Sequence, residues 1–220
     1  ATELKTAVSE SRHGDNYVDL PDTPPRLLDV LKQTLDVESI LCTTEVRVRA
    51  GTGQNTFGIR RHWSGSEDVR RMPEAVVKPR KESDVCSLLQ SASGNFRVVP
   101  VGGGTSSASS VGCCQNELPV VALDMSSLNQ ILWVRKEDGL ACVEAGITGQ
   151  ALDAELARAG LTTGMELPFA EFSTLGGWVA TRAVGLKQAR YGDIESMLVE
   201  VRVATCSGML WQTGSSCDET

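Results

Sequence analysis

The sequence predicts an α+β fold: two α/β subdomains preceded by a helical N-terminal segment. Three observations carry this. Strand-length apolar runs alternate with a helix-length segment between residues 73 and 124, and two later pairs of short apolar runs flank the turn dipeptides Asp138-Gly139 and Ser207-Gly208. Ahead of both, Leu27, Leu28, Leu31 and Leu35 recur at helical spacing. With 220 residues, 41% of them hydrophobic, the chain can fill the cores of two such units.

Taken in order, residues 1–23 are polar and aperiodic and read as a tail or a wrapping arm. Pro24 and Pro25 then open a helix whose leucine stripe is a core face. Glu45-Val46-Arg47-Val48-Arg49 alternates and is expected as a strand, and residues 51–65 as loop. Ala75-Val76-Val77-Lys78 is a buried-strand candidate closed by Pro79. Ser83 is expected to cap a helix carrying Val85, Leu88, Leu89 and Ala92, which Gly94 stops. Val98 to Val101 and Val120 to Leu123 give two further strands. Ile131 to Val134 and Ala141 to Ala145 pair as a hairpin about Lys136-Glu137-Asp138-Gly139. Thr148 caps a helix presenting Leu152, Leu156 and Ala159 and ended by Gly160; Leu198 to Val203 and Met209 to Trp211 form the second hairpin. The expected organisation is a tail, helix and loop region over 1–69, a first α/β lobe over 70–126, and a second, truncated lobe over 127–220.

A net charge of −7 with interspersed signs argues against nucleic acid, whose phosphates call for a basic footprint; Arg60-Arg61 and Arg70-Arg71 read as solvated loop ends. The seven cysteines, at 42, 86, 113, 114, 142, 206 and 217, form no Cys-x-x-Cys pair and are odd in number, so neither a zinc site nor a secreted disulfide framework is expected. A reducing compartment follows. No charged and apolar leader follows Ala1, and no apolar run approaches the roughly 20 residues that span a bilayer, so neither a secretory signal nor a membrane span is expected.

Chemistry concentrates in two runs. Pro100-Val101-Gly102-Gly103-Gly104-Thr105-Ser106 places three glycines at the carboxyl end of a strand in a strand–helix–strand unit, where ligands of such sheets bind. Glycines let main-chain N–H groups turn inward, and two hydroxyls add donors, so the loop suits a phosphate or pyrophosphate; the alternative is a plain surface loop. No Gly-Lys-Ser/Thr follows, and no Gly-x-Gly-x-x-Gly opens a helix, which sets aside nucleotide-triphosphate hydrolysis and ordinary dinucleotide binding of the Rossmann kind. The second run is Glu171-Phe172-Ser173-Thr174-Leu175-Gly176-Gly177-Trp178-Val179-Ala180-Thr181-Arg182-Ala183. Ser-Thr before Gly-Gly reads as a helix start with N–H groups free for an anion, or else as a tightly packed glycine helix start. Two such devices on two lobes suit one long ligand, a dinucleotide.

These residues resemble the FAD-binding flavoproteins of the vanillyl-alcohol oxidase and p-cresol methylhydroxylase type, and within them the ether-lipid-forming branch. The resemblance rests on Arg71 to Val77 with Pro79, Pro100 to Ser106, Leu123-Asp124 through Asn129 to Val134, Glu144 to Gln150, Glu171 to Ala183, and Tyr191 to Glu195. It covers roughly residues 70 to 212 and implies the p-cresol methylhydroxylase type of FAD-binding domain. It further implies that Pro100, Val101, Gly102, Gly103, Gly104, Thr105 and Ser106 hold the FAD pyrophosphate, and that Glu171, Phe172, Ser173, Thr174, Gly177, Thr181, Arg182 and Ala183 line the rest of the cofactor. The chain departs from the family at Met165-Glu166-Leu167-Pro168-Phe169, where relatives carry His-Glu-Pro-Asp-Ser, and at Val184, where they carry Ser. Lost hydroxyls and a lost carboxylate remove hydrogen bonds to the flavin.

Some family members bond FAD covalently through histidine or cysteine. His13 and His62 fall outside the matching runs, and Cys113 and Cys114 read as loop thiols, so FAD is expected to dissociate. The resemblance implies exchange of the acyl group of acyl-dihydroxyacetone phosphate for a fatty alcohol, with a peroxisome-like location and at most peripheral membrane contact; a second copy of the chain is a candidate partner, and the sequence does not fix the oligomeric state. In relatives the proton-transfer groups lie in later segments, so no catalytic residue is expected here; the cysteine pattern gives no metal ligand either. The alternatives are a flavin-dependent 2-hydroxy-acid oxidase or dehydrogenase, and a non-catalytic module that has lost flavin.

Overall fold

The computed structural model describes residues 20–54, 72–106, 111, 118–207 and 210–213. The expectations for residues 1–19, for His13 and His62, for the two arginine pairs, for Cys113 and Cys114, and for the tip of the second hairpin at Gly208 lie outside these residues.

Helix α1 (Pro25–Thr34) starts with proline at its first position, where a missing N–H costs nothing, and buries Leu27 and Leu31. After β1 (Ile40–Leu41), residues Thr44–Thr52 form helix α2, not the strand that the Val/Arg alternation predicts. The reason is Arg47. Its side chain is 3% exposed, with Nε donating to Pro73 O and Nη1 to Pro21 O, both at 2.8 Å. A polar residue that reads as solvent-facing is therefore part of the buried face, together with Ala50. Gly51 and Thr52, expected as loop, belong to this helix as well.

A four-stranded sheet follows, with β2 (Ala75–Val77), β3 (Arg97–Val101) and β4 (Val120–Asp124) in the order β1-β2-β4-β3. β4 lies parallel to both β2 and β3, with Val76 opposite Ala122 and Val99 opposite Ala122 on its two sides, while β1 runs antiparallel to β2. β3 is thus an edge strand among the described residues, which is where Pro100 can sit without costing a ladder hydrogen bond. Helix α3 (Glu82–Ala92) connects β2 to β3 and buries Val85 and Leu88. It begins one residue before Ser83, and the cap is Asp84, whose carboxylate accepts from Arg80 N at 3.0 Å and Lys81 N at 3.2 Å. A carboxylate accepts two orphan amides at a positive helix end, which a hydroxyl one residue inside the helix cannot do.

The hairpin β5 (Ile131–Arg135) and β6 (Leu140–Val143) turns at Gly139, whose φ of 66° is the left-handed conformation that the turn needs. Helix α4 (Gly149–Arg158) is capped by Thr148, whose hydroxyl accepts from Ala151 N at 3.4 Å. Helix α5 (Leu175–Thr181), two single-turn helices α6 (Gln188–Tyr191) and α7 (Ile194–Met197), and the hairpin β7 (Val201–Ala204) and β8 (Leu210–Thr213) complete the described residues. β7 starts at Val201, three residues later than the apolar run suggests, because Ile194–Met197 is helical and Leu198 is its cap.

The described residues form three apolar cores. One lies between α1, α3 and one face of the sheet, with Leu31, Leu88, Val77 and Val121 in it and Ala204 of β7 packed against it. A second, on the other face, joins Ala50 of α2 to Val76, Val101, Val111 and Ala122. The third gathers Ile147, Leu152, Leu156, Met165, Trp178 and Ile194. No helix among the described residues is long and apolar enough to cross a membrane. Cys42, Cys86, Cys142 and Cys206 are free thiols.

Candidate functional site

The glycine loop leaves the sheet where expected. Val101 is buried at the end of β3, Pro100 is exposed, and Gly102 to Ser106 follow half-buried. The second run lies directly against it. A Cβ on Gly102 would stand 2.2 Å from Thr174 Oγ1, and one on Gly103 would stand 1.9 Å from Phe172 O, so only hydrogen at both positions permits this contact. The sequence runs that suggested a shared ligand are therefore neighbours in space.

Ser173 and Thr174 are buried and spoken for. The Ser173 hydroxyl accepts from Trp178 Nε1 at 2.9 Å, and the Thr174 hydroxyl accepts from Gly177 N at 3.4 Å. An isolated antiparallel bridge joins Thr174 to Thr148, with Leu175 N donating to Ile147 O at 3.0 Å and Gly149 N to Ser173 O at 3.0 Å. Gly176 N donates to Ala145 O at 2.7 Å. The first three amides of α5 are thus all occupied, and the expectation that they stand free for an anion is corrected. Gly176 also sits where a Cβ would be 2.9 Å from Ala145 Cβ, and Gly149 lies 2.3 Å, by the same measure, from the Trp178 ring. The Gly-Gly-Trp run serves close packing.

The glycine loop is different. Among the described residues the amides of Gly102, Gly103, Gly104 and Thr105 donate to no protein acceptor. Four successive inward-capable N–H groups at a strand's carboxyl end make a donor set of the kind that pyrophosphate oxygens take. That is the observation on which FAD fits.

Of the remaining residues, Phe172 lies against this loop and Thr181 and Arg182 lie apart from it. Glu171 and Phe172 are half-buried beside the loop, and Gly177 is inside α5. Thr181 and Arg182 are exposed at the far end of the helix, about 10 Å along its axis from Thr174 at 1.5 Å per residue. The Thr181 hydroxyl donates to Gly177 O at 2.7 Å. Arg182 adopts a left-handed conformation with φ 54°, and its guanidinium pairs with Glu195 through Nε at 2.5 Å and Nη2 at 2.9 Å, an interaction that raises its already high pKa. Ala183 packs against the third core. Of the family departures, Met165 is a core residue at 2% exposure, whereas Phe169 and Val184 are exposed.

One contact of the glycine loop has no local signal in the sequence. Gly53, just past α2, has φ 71°, and the next residue, Gln54, donates its N–H to Gly104 O at 2.8 Å. The Gly51-Thr52-Gly53-Gln54 run carried no motif, and only the fold brings it to the glycine loop.

The fold and its glycine loop define a flavin-binding domain, and the chain belongs to that class: the FAD binding domain family matches residues 73–214, and FAD is its cofactor. Among individual proteins, the chain is similar to alkyldihydroxyacetonephosphate synthase of Caenorhabditis elegans, with 34% identity over 86% of this chain and 32% of the relative. It is 32% identical to the protein of that name from Dictyostelium discoideum, over 88% of this chain and 32% of the relative. A solved structure of an alkyldihydroxyacetonephosphate synthase superposes with a TM-score of 0.81 at 31% identity, covering 90% of this chain and 37% of that one. The chain spans about a third of the length of the curated relatives it matches.

Proposed function

We propose that this chain is the FAD-binding portion of an ether-lipid synthase that exchanges the acyl group of acyl-dihydroxyacetone phosphate for a fatty alcohol, releasing a fatty acid. The similarity to alkyldihydroxyacetonephosphate synthases supports the reaction class, and the observation that carries the cofactor site is the run of amides from Gly102 to Thr105 that find no acceptor among the described residues, beside Phe172 to Thr174. FAD, when bound, supplies an electron sink for an exchange without net oxidation. The chain's own share is binding and orientation: Pro100 and Val101 lead into the loop, Gly102 to Ser106 take the pyrophosphate, and Glu171 to Thr174 with Gly177 wall it. Thr181, Arg182 and Ala183 complete the lining, with Arg182 held by Glu195. No residue here is given a proton-transfer role, and the division into lobes at 70–126 and 127–220 belongs to this reading. So do dissociable FAD, a peroxisome-like location, peripheral membrane contact at most, and self-association.

The test is the visible spectrum of the purified chain after FAD loading and gel filtration, repeated after acid precipitation. Flavin bands that co-elute and pass into the supernatant on acidification support the reading. Colour that stays in the pellet overturns dissociable binding, and a colourless eluate favours a module without flavin. Anaerobic bleaching by a 2-hydroxy acid would instead indicate an oxidase or dehydrogenase.

A further inference from the structure

The glycine loop is held on both sides, and only one side belongs to the matched family region. Phe172 to Thr174 grip Gly102 and Gly103; helix α2, which precedes residue 73, grips Gly104. α2 is fixed to the sheet and to the segments outside it. Ala50 packs with Val76, Val101 and Ala122, and the Arg47 fork spans Pro21 O and Pro73 O. The helix then ends at Gly53, and Gln54 N donates to Gly104 O at 2.8 Å, with Gly53 Cα 3.2 Å from where a Cβ of Gly104 would lie. A trans peptide is planar, and its C=O and N–H point in opposite directions. Anchoring Gly104 O on α2 therefore turns the Thr105 N–H away from α2, and among the described residues that N–H has no acceptor.

We infer that the α2 end, through the Gln54 amide and the Arg47 fork behind it, is a positioning element that aims the Thr105 amide at the FAD pyrophosphate. This rests on the reading of the glycine loop as the pyrophosphate site. The element sets the direction of a donor on another segment, and through that donor it governs cofactor affinity.

The decisive variant is Gln54→Pro, which deletes the N–H, compared with Gln54→Ala, which retains it. FAD affinity by fluorescence quenching and the 31P resonances of bound FAD are read on the full chain below each variant's melting transition. The expected result is about a tenfold weaker affinity, about 1.4 kcal/mol, and displaced pyrophosphate resonances for Gln54→Pro, with wild-type values for Gln54→Ala. Should the proline variant not fold, Arg47→Lys is read the same way: it keeps the charge and loses the fork, and it is expected to shift the same resonances. Wild-type affinity and unmoved 31P resonances in a folded Gln54→Pro or Arg47→Lys chain overturn the inference alone. Failure of the wild-type chain to bind FAD overturns it together with the reading on which it rests.

Discussion

Gly103 has less room than any open loop would give it. A methyl group there meets the Phe172 carbonyl at 1.9 Å, and a backbone carbonyl, unlike the far end of a flexible side chain, cannot retreat cheaply. Gly103→Ala is therefore expected to destabilise the chain by about 3 kcal/mol, the upper range of overpacking, measured by urea unfolding; an unchanged midpoint would mean that the loop and residues 172–174 do not touch. Gly102→Ala meets the Thr174 hydroxyl instead, and relief by rotating that side chain would release the α5 cap. Asp193 gives a pH-dependent counterpart. Hydrogen bonds from the Ser196 hydroxyl and Ser196 N hold its carboxyl below the ordinary aspartate range. A depressed folded pKa contributes stability that is present above the unfolded pKa and lost as pH falls through the folded one. Acid unfolding of Asp193→Asn, which keeps an acceptor but does not titrate, is expected to lack the part of the wild-type decline that falls below the ordinary aspartate pKa; parallel acid limbs would exclude the contribution.

Helices and strands differ in how plainly the sequence announced them. The strands at 75–77, 97–101 and 120–124 and the Asp138-Gly139 hairpin are local in origin: apolar β-branched runs and a turn dipeptide suffice. Thr148 and Thr174 were legible as caps for the same reason, since a hydroxyl bonds an amide three residues on. Helix α2 was not legible. Its alternating Val and Arg follow strand period, and what overrides that period is a guanidinium bonding two carbonyls 26 residues away in either direction, which no local pattern contains. The site divides likewise: the glycine loop stood out by composition, but its contact with Gln54 and the occupied amides of α5 are tertiary facts. At α3, the carboxylate of Asp84 serves two amides near the helix start, so Asp84→Ala is expected to cost about 1 kcal/mol in chemical denaturation. Ser83→Ala is expected to cost only a few tenths; equal costs would return the cap to Ser83.

The three cores are not independent of one another along the chain. Leu128, beyond the last strand of the four-stranded sheet, is buried in the first core, and Ala204 of β7 packs against the same core while Arg202 pairs with Glu82 of α3 at 2.7 Å. That exposed pair is worth little, but the apolar contact and the Gly102–Thr174 and Gly103–Phe172 approaches bind the later residues to the earlier ones. Thermal unfolding is therefore expected as one cooperative transition, with tryptophan fluorescence and far-UV circular dichroism coinciding. A ligand that binds only the folded chain stabilises it by about 2.7 kcal/mol at a hundredfold excess over Kd, so FAD at that level is expected to raise the single Tm by about 5 to 10 °C for a chain of this size. Adenosine monophosphate, which offers one phosphate to a loop suited to two, is expected to give a smaller rise at equal concentration. Two transitions of which FAD moves only one would mean that the glycine loop and residues 172–174 open separately, and the cofactor site would then be assembled by FAD rather than built into the fold.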